Sequence, residues 1–396
     1  MVDRTVDILI VGGGLIGATL MLALRSSGYS TLLVEAKAIT NTIHSDFDAR
    51  TLALAPASVA ILRTLDVWQD LMSVATPIDM IHVSEQSKFG VVRLTGSVTH
   101  PLGQVVEIQH INRVLHRMLS AAQILAPANI VAADVDKGVV TVHDGIHEFK
   151  IKAQLIVAAD GAHSFMRSCC NLYADVTTYK QHALIANIGL ARPHQQHAYE
   201  RFTKHGPLAL LPMTEQRSAL VWSLPCDHAK EFANDNSDNF LHRLQAAFGY
   251  RLGRFTHVGK RIVYPLENVM MRTITAWPVV FVGNAAHTLH PVAGQGFNLG
   301  LRDVAMLAQC IVRHGLGPDM LTIYRDLRRH DERAITHLTN GLLSSFLHKS
   351  RALSLARSMG FVALDNVSIL KNLLSRYASG FGGIAADLVC GIHLRG

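Results

Sequence analysis

The N-terminal segment constrains the fold of this chain more than any other. Residues 6–11 form a β-branched apolar run typical of a buried strand, and glycines at 12, 14 and 17 follow as GxGxxG. The next segment has apolar residues at helical spacing, and a second apolar run ends at Glu35, 18 residues after Gly17. This order of strand, glycine turn, helix and acid-terminated strand predicts a βαβ unit that binds a dinucleotide.

Each of these residues has a physical task in such a unit. Gly12 makes the tight turn, Gly14 lets a pyrophosphate approach the backbone, and Gly17 lets the helix pack against the strand. The helix N-terminus offers amide donors and a positive partial charge to the pyrophosphate. Glu35 can accept hydrogen bonds from ribose hydroxyls, which favours an unphosphorylated adenosine ribose, as in FAD or NAD.

Composition excludes several other classes of protein. The 396 residues are 49% hydrophobic and 17% charged, yet no run of 18 uncharged apolar residues occurs, so no transmembrane helix is expected. The net charge of +7 suits an anionic cofactor or an anionic membrane surface. Basic runs with interleaved aromatic residues are missing, so no nucleic-acid partner is predicted. Five cysteines, two of them adjacent, and the lack of a secretory signal favour a cytoplasmic location.

Two later segments point to the same ligand. One is a buried-strand pattern that runs into Asp160-Gly161, in LIVAADGAHSFMR; alone, this would more often be only a turn. The other is VGNAAHTLHPVAGQGFNLGLRD, which places Gly294, Gly296 and Gly300 within seven residues at the start of a helix. Each helical glycine costs about 1 kcal/mol relative to alanine. Such a cluster predicts that something lies very close to this backbone.

The three motifs, in this order and spacing, resemble those of FAD-dependent aromatic hydroxylases, the class typified by para-hydroxybenzoate hydroxylase. Together with FDARTLALAPASVAILRTLDVW, EIQHINRVLHRML and GPLALLPM, they are similar to the ubiquinone-biosynthesis hydroxylases. The nearest subgroup is the 2-polyprenyl-6-methoxyphenol hydroxylases, in which Asn is also typical at position 284, where the broader family has Asp. Asn284 can still accept a hydrogen bond from the flavin ribityl chain, but it carries no charge.

The resemblance implies an α/β fold with three parts. A Rossmann-like FAD-binding domain of the GR2 type, built on a parallel sheet, is expected over 1–75, 100–175 and 266–342. A mostly antiparallel β-sheet, inserted as the substrate-binding domain, is expected over 76–99 and 176–265. A C-terminal helical region is expected over 343–396.

The resemblance also implies the cofactor contacts. The backbone of Pro291 is expected near the reactive face of the flavin, and the helix that begins near Gly294 directs its positive end at the flavin ring. Arg50 and Arg113 are expected near the ribityl and phosphate groups, with a solvated surface residue as the alternative for Arg50. Arg302 is interpreted as an exposed charge outside the site. The full set of expected cofactor contacts is Gly12, Gly14, Leu15, Ile16, Gly17, Glu35, Ala36, Arg50, Arg113, Val135, Asp160, Gly283, Asn284, Pro291, Gly294, Gln295, Gly296, Phe297 and Asn298.

The substrate domain is less specific in sequence. Its alternating strands are expected to roof the active site, with Leu208, Leu210 and Pro212 as pocket-lining candidates. The spaced histidine pairs, at 194 and 197 and at 287 and 290, come without clustered carboxylates or cysteines, so no metal site is predicted. No catalytic base is assigned.

The expected activity follows from the resemblance. It is FAD-dependent hydroxylation of a polyprenylated phenol in ubiquinone biosynthesis, with NAD(P)H as transient reductant and O2 as oxidant, through a flavin C4a-hydroperoxide. The alternatives are an FAD-dependent reductase of prenyl lipids and a non-catalytic, flavin-bearing lipid carrier in a biosynthetic complex. The C-terminal helices either cap the core or rest on anionic lipid at the cytoplasmic face of the inner membrane. Membership of a multi-enzyme ubiquinone-synthesis complex is a further expectation.

Overall fold

A computed structural model describes residues 2–39, 50–290, 294–347, 351–367, 379–381 and 384–395. Within these ranges the strands are β1 Arg4–Val11, β2 Thr31–Val34, β3 Thr51–Leu54, β4 Thr76–Ile78, β5 Met80–Glu85, β6 Val91–Thr95, β7 Gly103–Glu107, β8 Ile124–Leu125, β9 Asn129–Asp134, β10 Val139–His143, β11 Glu148–Ala158, β12 Ala174–Leu190, β13 His197–Phe202, β14 Pro207–Met213, β15 Arg217–Pro225, β16 Phe255–Val258, β17 Ile262–Met271, β18 Thr275–Ala276, β19 Val279–Phe281 and β20 His287–Thr288.

The α-helices in the same ranges are α1 Leu15–Ala23, α2 Pro56–Thr64, α3 Ile108–Met118, α4 Phe165–Cys169, α5 Cys226–Asn234, α6 Ser237–Phe248, α7 Gln295–His314, α8 Pro318–Leu347 and α9 Arg351–Asn366.

The first sheet is parallel at its centre. Its order is β18-β19-β11-β1-β2-β8, and the pairs from β19 to β8 are all parallel. β18 pairs antiparallel with β19, and β10 and β9 extend the sheet from β11 as antiparallel strands. The residues of β1 from Ile8 to Ile10 have no exposed surface, as expected for a parallel strand covered on both faces.

The second sheet is larger and mostly antiparallel. Its order is β20-β17-β12-β15-β14-β13-β5-β6, with β16 beside β12, and β13–β5 is its parallel pair. Helices α5 and α6 cover one face of this sheet, where Trp222 packs in a core with Phe232 and Phe240. The other face contacts a small antiparallel sheet with the order β3-β7-β4.

These observations confirm the predicted fold class: a parallel α/β unit with an inserted antiparallel sheet. The pairing also fixes details that the sequence left open. β4 joins the small sheet through β7, whereas the next strand, β5, joins the large sheet. β17 begins at Ile262, ends at Met271 and pairs with β12, so the large sheet extends to Met271.

The described part of the C-terminal region contains the end of α8 and the whole of α9. α9 packs against β6, and Asp365 pairs with Arg93 at 3.0 Å. Among the helices that the structure describes, none combines the length and the apolar character needed to cross a bilayer.

Candidate cofactor and substrate site

The three sequence motifs meet at one edge of the parallel sheet. β2, β1, β11 and β19 are parallel and lie in the sheet in the order β19-β11-β1-β2, so their carboxyl ends lie together. The residues that follow these ends are Glu35, Gly12, Asp160 and Gly283. Ligands bind at the carboxyl edge of open α/β sheets, so this convergence defines the candidate site.

The glycines of the first turn have distinct functions. Gly12 has φ +104°, a conformation that favours glycine. A Cβ on Gly17 would collide with the carbonyl oxygen of Gly12, so Gly17 allows helix and strand to approach. Gly14 is the N-cap of α1, and a Cβ there would meet no atom within 4 Å. The helix N-terminus therefore faces open space that a pyrophosphate can fill.

Glu35 is held in place by the backbone. One carboxylate oxygen accepts from the Gly13 N–H at 2.6 Å, and the other accepts from the Lys37 N–H at 2.8 Å. Each oxygen keeps a further acceptor site for a ribose hydroxyl. Ala36 follows with an exposed side chain, and Leu15, at the start of α1, is partly buried.

The second motif is tied to the third by an arginine. Asp160 accepts from the Met166 N–H at 3.1 Å, which orients the start of α4. Arg167 donates to the carbonyl oxygen of Ala162 at 2.7 Å and to that of Ala285 at 3.2 Å. Sequence reasoning gave Arg167 no role, although it lies within the quoted motif.

The glycines of the third motif do not all serve a ligand. Gly300 packs on α1, since a Cβ there would lie 2.8 Å from Ile16 Cδ1 and 3.2 Å from Gly283 Cα. Its close neighbour is therefore another part of the protein. By contrast, a Cβ on Gly296 would meet no atom within 4 Å. The expectation of a close ligand thus fits Gly296, while Gly300 is explained by packing.

The start of α7 is clamped to β3 by Asn298. Gly294 is left-handed with φ +60°, and Gln295 begins the helix. The Asn298 amide donates to the carbonyl oxygens of Ala53 at 2.9 Å and Gly294 at 2.7 Å, and it accepts from the Ala55 N–H at 2.8 Å. It also accepts from the Ser58 hydroxyl at 2.7 Å. Asn298 therefore supports the site indirectly, by fixing the backbone at Gly294 against the backbone at Ala53 and Ala55.

Two other predicted contacts, Phe297 and Pro291, belong to this segment. Phe297 is partly buried and packs on the main core. Pro291 lies outside the described residues, so its predicted position beside the ring stays a prediction.

A buried ionic network supports the turn at Gly283. Asp303 accepts from the Gly283 N–H at 2.9 Å, and its carboxylate lies 2.6 Å from His287 Nε2 and 2.8 Å from Arg328 Nε. Burial opposes ionisation of Asp303, but the charges of His287 and Arg328 outweigh it and lower the pKa of Asp303 to about 2. Arg302 was expected to be an exposed charge, which is wrong: it is 6% exposed and pairs with Asp331 at 2.7 Å.

The predicted arginines lie near the same edge. The carbonyl of Arg50 accepts from the N–H of Ile108, the first residue of α3, and the Arg50 side chain is exposed. Arg113 is partly exposed on α3, which packs against α1. His116, three residues on, lies 2.8 Å from the carbonyl oxygen of Gly13 through Nε2. Helical spacing from Arg113 could have indicated His116.

Val135 lies apart from these residues. Its carbonyl accepts from Gly138, whose own carbonyl accepts from Ala153, and Ala153 pairs with Val6 in the amino-terminal half of β1. β9 pairs with β10, and β10 pairs with β11, in a register that leaves Val135 near the middle of β11 and away from its carboxyl end. Instead, the Ala128 N–H donates to the carbonyl of Glu35 at 2.8 Å, which brings the segment after β8 beside the site.

The predicted pocket residues of β14 lie on the other face of the sheet. Leu208 and Leu210 have no exposed surface and pack in the core beneath α5 and α6. Pro212 is buried on the same side by strand alternation. Side chains without exposed surface cannot line a pocket, so Leu208 and Leu210 do not have the predicted role in this structure. Ala209 and Leu211 are partly exposed, and Leu211 packs towards the small sheet.

Strand register extends this inner face across the large sheet. Ala209 pairs with Glu200 on β13 and with Val221 on β15, Glu200 pairs with Val83 on β5, and Val221 pairs with Ile185 on β12. All five side chains are partly exposed. Two residues away along β13, β14 and β15, Ala198, Leu211 and Ala219 pack on Ala53 and Val105 of the small sheet. We call the five residues Val83, Ile185, Glu200, Ala209 and Val221 the roof row.

A large apolar cavity adjoins this region. Its volume is about 800 Å³, and it lies between α2, the segment 98–104, β6 and Phe381. Ile81 and Leu102 line the cavity and also belong to the cluster that contains Ala53. Ala53 also lies next to Gly294, since a Cβ on Gly294 would be 3.5 Å from the Ala53 Cβ, so this cluster contacts both the cavity and the cofactor edge.

Comparison with known proteins identifies the family. Residues 5–337 match the family described as FAD binding domain. The chain is 34% identical over 390 residues to ubiquinone hydroxylase UbiL of Rhodospirillum rubrum, covering 96% of this chain and 90% of UbiL. It is 27% identical over 398 residues to 3-demethoxyubiquinol 3-hydroxylase of Escherichia coli, covering 96% of this chain and 100% of that protein. The chain belongs to the FAD-dependent ubiquinone-biosynthesis hydroxylases.

The predicted resemblance is thereby confirmed, and the protein is an FAD-dependent monooxygenase. The structure of p-nitrophenol 4-monooxygenase PnpA from Pseudomonas putida has the same fold. Its TM-score is 0.79 at 16% identity, covering 96% of this chain and 99% of PnpA.

The residues of this monooxygenase fit FAD. Gly14, Gly161 and Gly296 share one property: a Cβ on any of them would meet no atom within 4 Å. They border the carboxyl edge at the starts of α1 and α7 and after β11. Asn284 presents an exposed side chain at the same edge. Backbone that is open at the helix N-termini, with Glu35 fixed beside it, suits an anionic dinucleotide.

Proposed function

We propose that this monooxygenase hydroxylates the aromatic ring of a polyprenylated phenol in ubiquinone biosynthesis, with NAD(P)H as reductant. The observation that carries the proposal is the convergence of three motifs on one sheet edge beneath a partly apolar roof. The similarity to the ubiquinone hydroxylase UbiL and to the 3-demethoxyubiquinol 3-hydroxylase of Escherichia coli supports a ubiquinone precursor as substrate.

The proposal assigns roles to the residues at the edge. The N-terminus of α1, with Gly14, binds the pyrophosphate, and Glu35 binds the adenosine ribose. Arg50, Arg113 and Asn284 bind the phosphate and ribityl portion. The N-terminus of α7, from Gly294 to Gly296, orients the ring and offers its dipole to negative charge there. Bound FAD supplies hydride acceptance from NAD(P)H and activation of O2.

Two surfaces near the cofactor edge, the roof row and the cavity beside α2, support a prenylated phenol as the substrate. The roof row offers apolar contact to an aromatic ring and excludes water from it. The cavity beside α2 has mostly apolar lining residues and enough volume for several isoprene units. A phenol with a long apolar tail uses both surfaces, whereas a small phenol uses only the first.

The test measures oxygen uptake and product together. Purified protein with FAD is given NAD(P)H and a short-chain 2-prenylphenol, and the product is identified by mass spectrometry. We expect substrate-dependent oxygen uptake and a product heavier by one oxygen atom. If the flavin stays oxidised, the result would favour the alternative of a non-catalytic lipid carrier. Reduction of the prenyl double bonds without oxygen uptake would point to the reductase alternative.

We also propose a role for the C-terminal region and contacts with other components of the cell. Since α9 packs on β6, the C-terminal region is assigned first as a cap, and contact with anionic lipid is the alternative. Flotation with anionic liposomes compares the full chain with a chain that ends after Phe346. Loss of binding in the shorter chain assigns the lipid contact to this region. Co-purification with other ubiquinone-synthesis proteins tests a complex.

A further inference from the structure

The roof row contains an acidic residue among apolar ones. Glu200 lies on β13, opposite Ala209 of β14 and Val83 of β5. Ala198, two residues before it on the same side of β13, packs on the small sheet next to the cofactor edge. The side chain of Glu200 is partly exposed although the strand is internal to the sheet, so part of it faces open space on the side of the roof row.

The carboxylate of Glu200 has no hydrogen bond or ion pair with the residues that the structure describes. None of the other roof-row residues offers a polar side-chain atom. The direct register partners of Glu200 are Val83 and Ala209, and the row continues through Val221 to Ile185. Burial therefore raises the pKa of Glu200 to about 7. A buried acid without a protein partner is costly, and retaining one is typical of a functional site.

The charged groups around Glu200 are engaged elsewhere. On β13, Arg201 lies on the opposite face and donates to Ser84 Oγ at 3.2 Å and to the carbonyl oxygen of Ala247 at 3.1 Å. On β5, His82 faces the same way as Arg201 and contacts Arg251, while Glu85 lies two residues beyond Val83.

On the small sheet, Glu107 pairs with Arg217 of β15 at 3.1 Å. By strand register this pair lies at the end of the large sheet beyond Ala198 and Leu211, away from Glu200.

We propose that Glu200 accepts the proton of the substrate's phenol hydroxyl. The inference rests on the proposed function, because it requires a phenol beneath the roof row. The O–H bond of the phenol breaks, its proton passes to a carboxylate oxygen of Glu200, and the electron pair stays on the phenol oxygen. The phenolate donates electron density into the ring and so favours attack by an electrophilic oxygen. The proton returns from Glu200 to the phenolate oxygen of the hydroxylated product before release.

The acidity of Glu200 suits this task. An ordinary phenol has a pKa of about 10, and an acceptor works best when its own pKa lies near the working pH. A carboxyl that titrates near neutrality among apolar neighbours meets that condition. His290 does not, because it is 1% exposed, stacks edge-on against Tyr179, and burial lowers its pKa to about 4.

The test compares Glu200→Gln with the wild type and with Glu215→Gln. Glu215 lies in the exposed turn between β14 and β15, so the control makes the same chemical change outside the roof row. With a short-chain 2-prenylphenol near neutral pH, we expect Glu200→Gln to form product about 100-fold more slowly, at the lower end of the range for proton-transfer catalysis. FAD content and NAD(P)H oxidation should stay near the wild-type level.

The pH profile separates a proton acceptor from a merely structural residue. The wild-type rate of product formation should rise through about pH 7 as Glu200 ionises. In Glu200→Gln that rise should vanish, and product formation should recover as the pH approaches the phenol's own pKa. Glu200→Asp should restore part of the rate. Equal rates and equal profiles in Glu200→Gln and wild type would overturn the inference while leaving the hydroxylase intact.

A second measurement does not depend on a variant. The absorbance of the 2-prenylphenol bound to the oxidised wild-type enzyme reports its ionisation. We expect the bound phenol to ionise at lower pH than the free phenol. Ionisation at the free value in the wild type would contradict a proton acceptor beside the ring. If the wild type forms no hydroxylated product at all, the proposed function fails, and this inference fails with it.

Discussion

Gly14 and Gly17 are three residues apart, but their missing side chains serve different purposes. A Cβ on Gly14 would enter open space, while a Cβ on Gly17 would collide with backbone. We therefore expect Gly14→Val to fold normally and to purify without FAD. Gly17→Val should lose most soluble protein. Flavin absorbance and thermal unfolding measure the two effects, and a fully yellow Gly14→Val protein would contradict the assigned pyrophosphate site.

Asp303 gives the stability of this protein a defined dependence on pH. Its pKa falls from the ordinary value of 3.8 to about 2 on folding. The unfolded chain therefore takes up the proton first as the pH falls. The stabilisation, about 2–3 kcal/mol, is present above about pH 4 and is lost towards about pH 2.

Replacing this carboxylate should remove that dependence. Asp303→Asn is expected to lower the free energy of unfolding by about 2–3 kcal/mol at neutral pH, and the difference from wild type should shrink in acid. Urea unfolding at several pH values measures both. Asp175→Asn is the control, because Asp175 pairs with Arg272 on the exposed surface and should matter little. A constant difference between Asp303→Asn and wild type down to about pH 3 would argue against this assignment.

At the scale of elements, the sequence pattern predicts where a strand or helix lies better than it predicts which face of a strand is covered. The βαβ unit from β1 to β2 was readable because its signals are local: apolar runs, glycine spacing and the acid at Glu35. The alternation of β14 was also readable, yet it defines two faces without saying which is covered. Helices α5 and α6, formed by later residues, cover Leu208 and Leu210 and leave Ala209 on the roof. That choice depends on tertiary packing.

The attachment of α7 to β3 is a second property that only the folded chain reveals. Asn298 joins the helix start to residues almost 250 positions earlier. Asn298→Asp keeps the size but removes the donors to the carbonyls of Ala53 and Gly294. We expect a loss of about 1–3 kcal/mol in unfolding free energy, because buried acceptors lose their partners. FAD should also dissociate faster, which stopped-flow fluorescence can measure; unchanged retention of FAD would separate the clamp from the cofactor.

At the scale of the whole molecule, one buried ion pair connects the two main parts. Glu107 ends β7 and precedes α3, and Arg217 begins β15 of the large sheet; their side chains are 8% and 5% exposed. Sequence motifs could not predict this contact, because the two residues are separated by 110 positions. The parallel sheet with its three motifs was predictable, whereas the seating of the roof over it was not.

Breaking this pair should loosen the roof. Glu107→Gln removes the carboxylate charge beside the buried Arg217 and should cost about 3–5 kcal/mol of stability. If the roof excludes water from the ring, the variant should also consume more NAD(P)H and O2 per product formed. The double variant Glu107→Leu, Arg217→Met should recover much of the stability, since apolar replacement of a buried pair is often neutral. Equal losses in single and double variants would show that packing, not charge, sets the cost.

The cavity beside α2 determines what the molecule can accept as a substrate tail. Ala60 lines this cavity on α2, so Ala60→Trp should fill part of it without touching the cofactor edge. Each methylene that loses its apolar contact costs about 0.8 kcal/mol, so KM for a long-tailed phenol should rise at least about tenfold. A phenol without a tail should be hydroxylated as by the wild type, and Ala122→Trp, at an exposed position, should change neither value. Equal effects on both substrates would mean that the cavity does not hold the tail, which would then have to leave the roof row by another route.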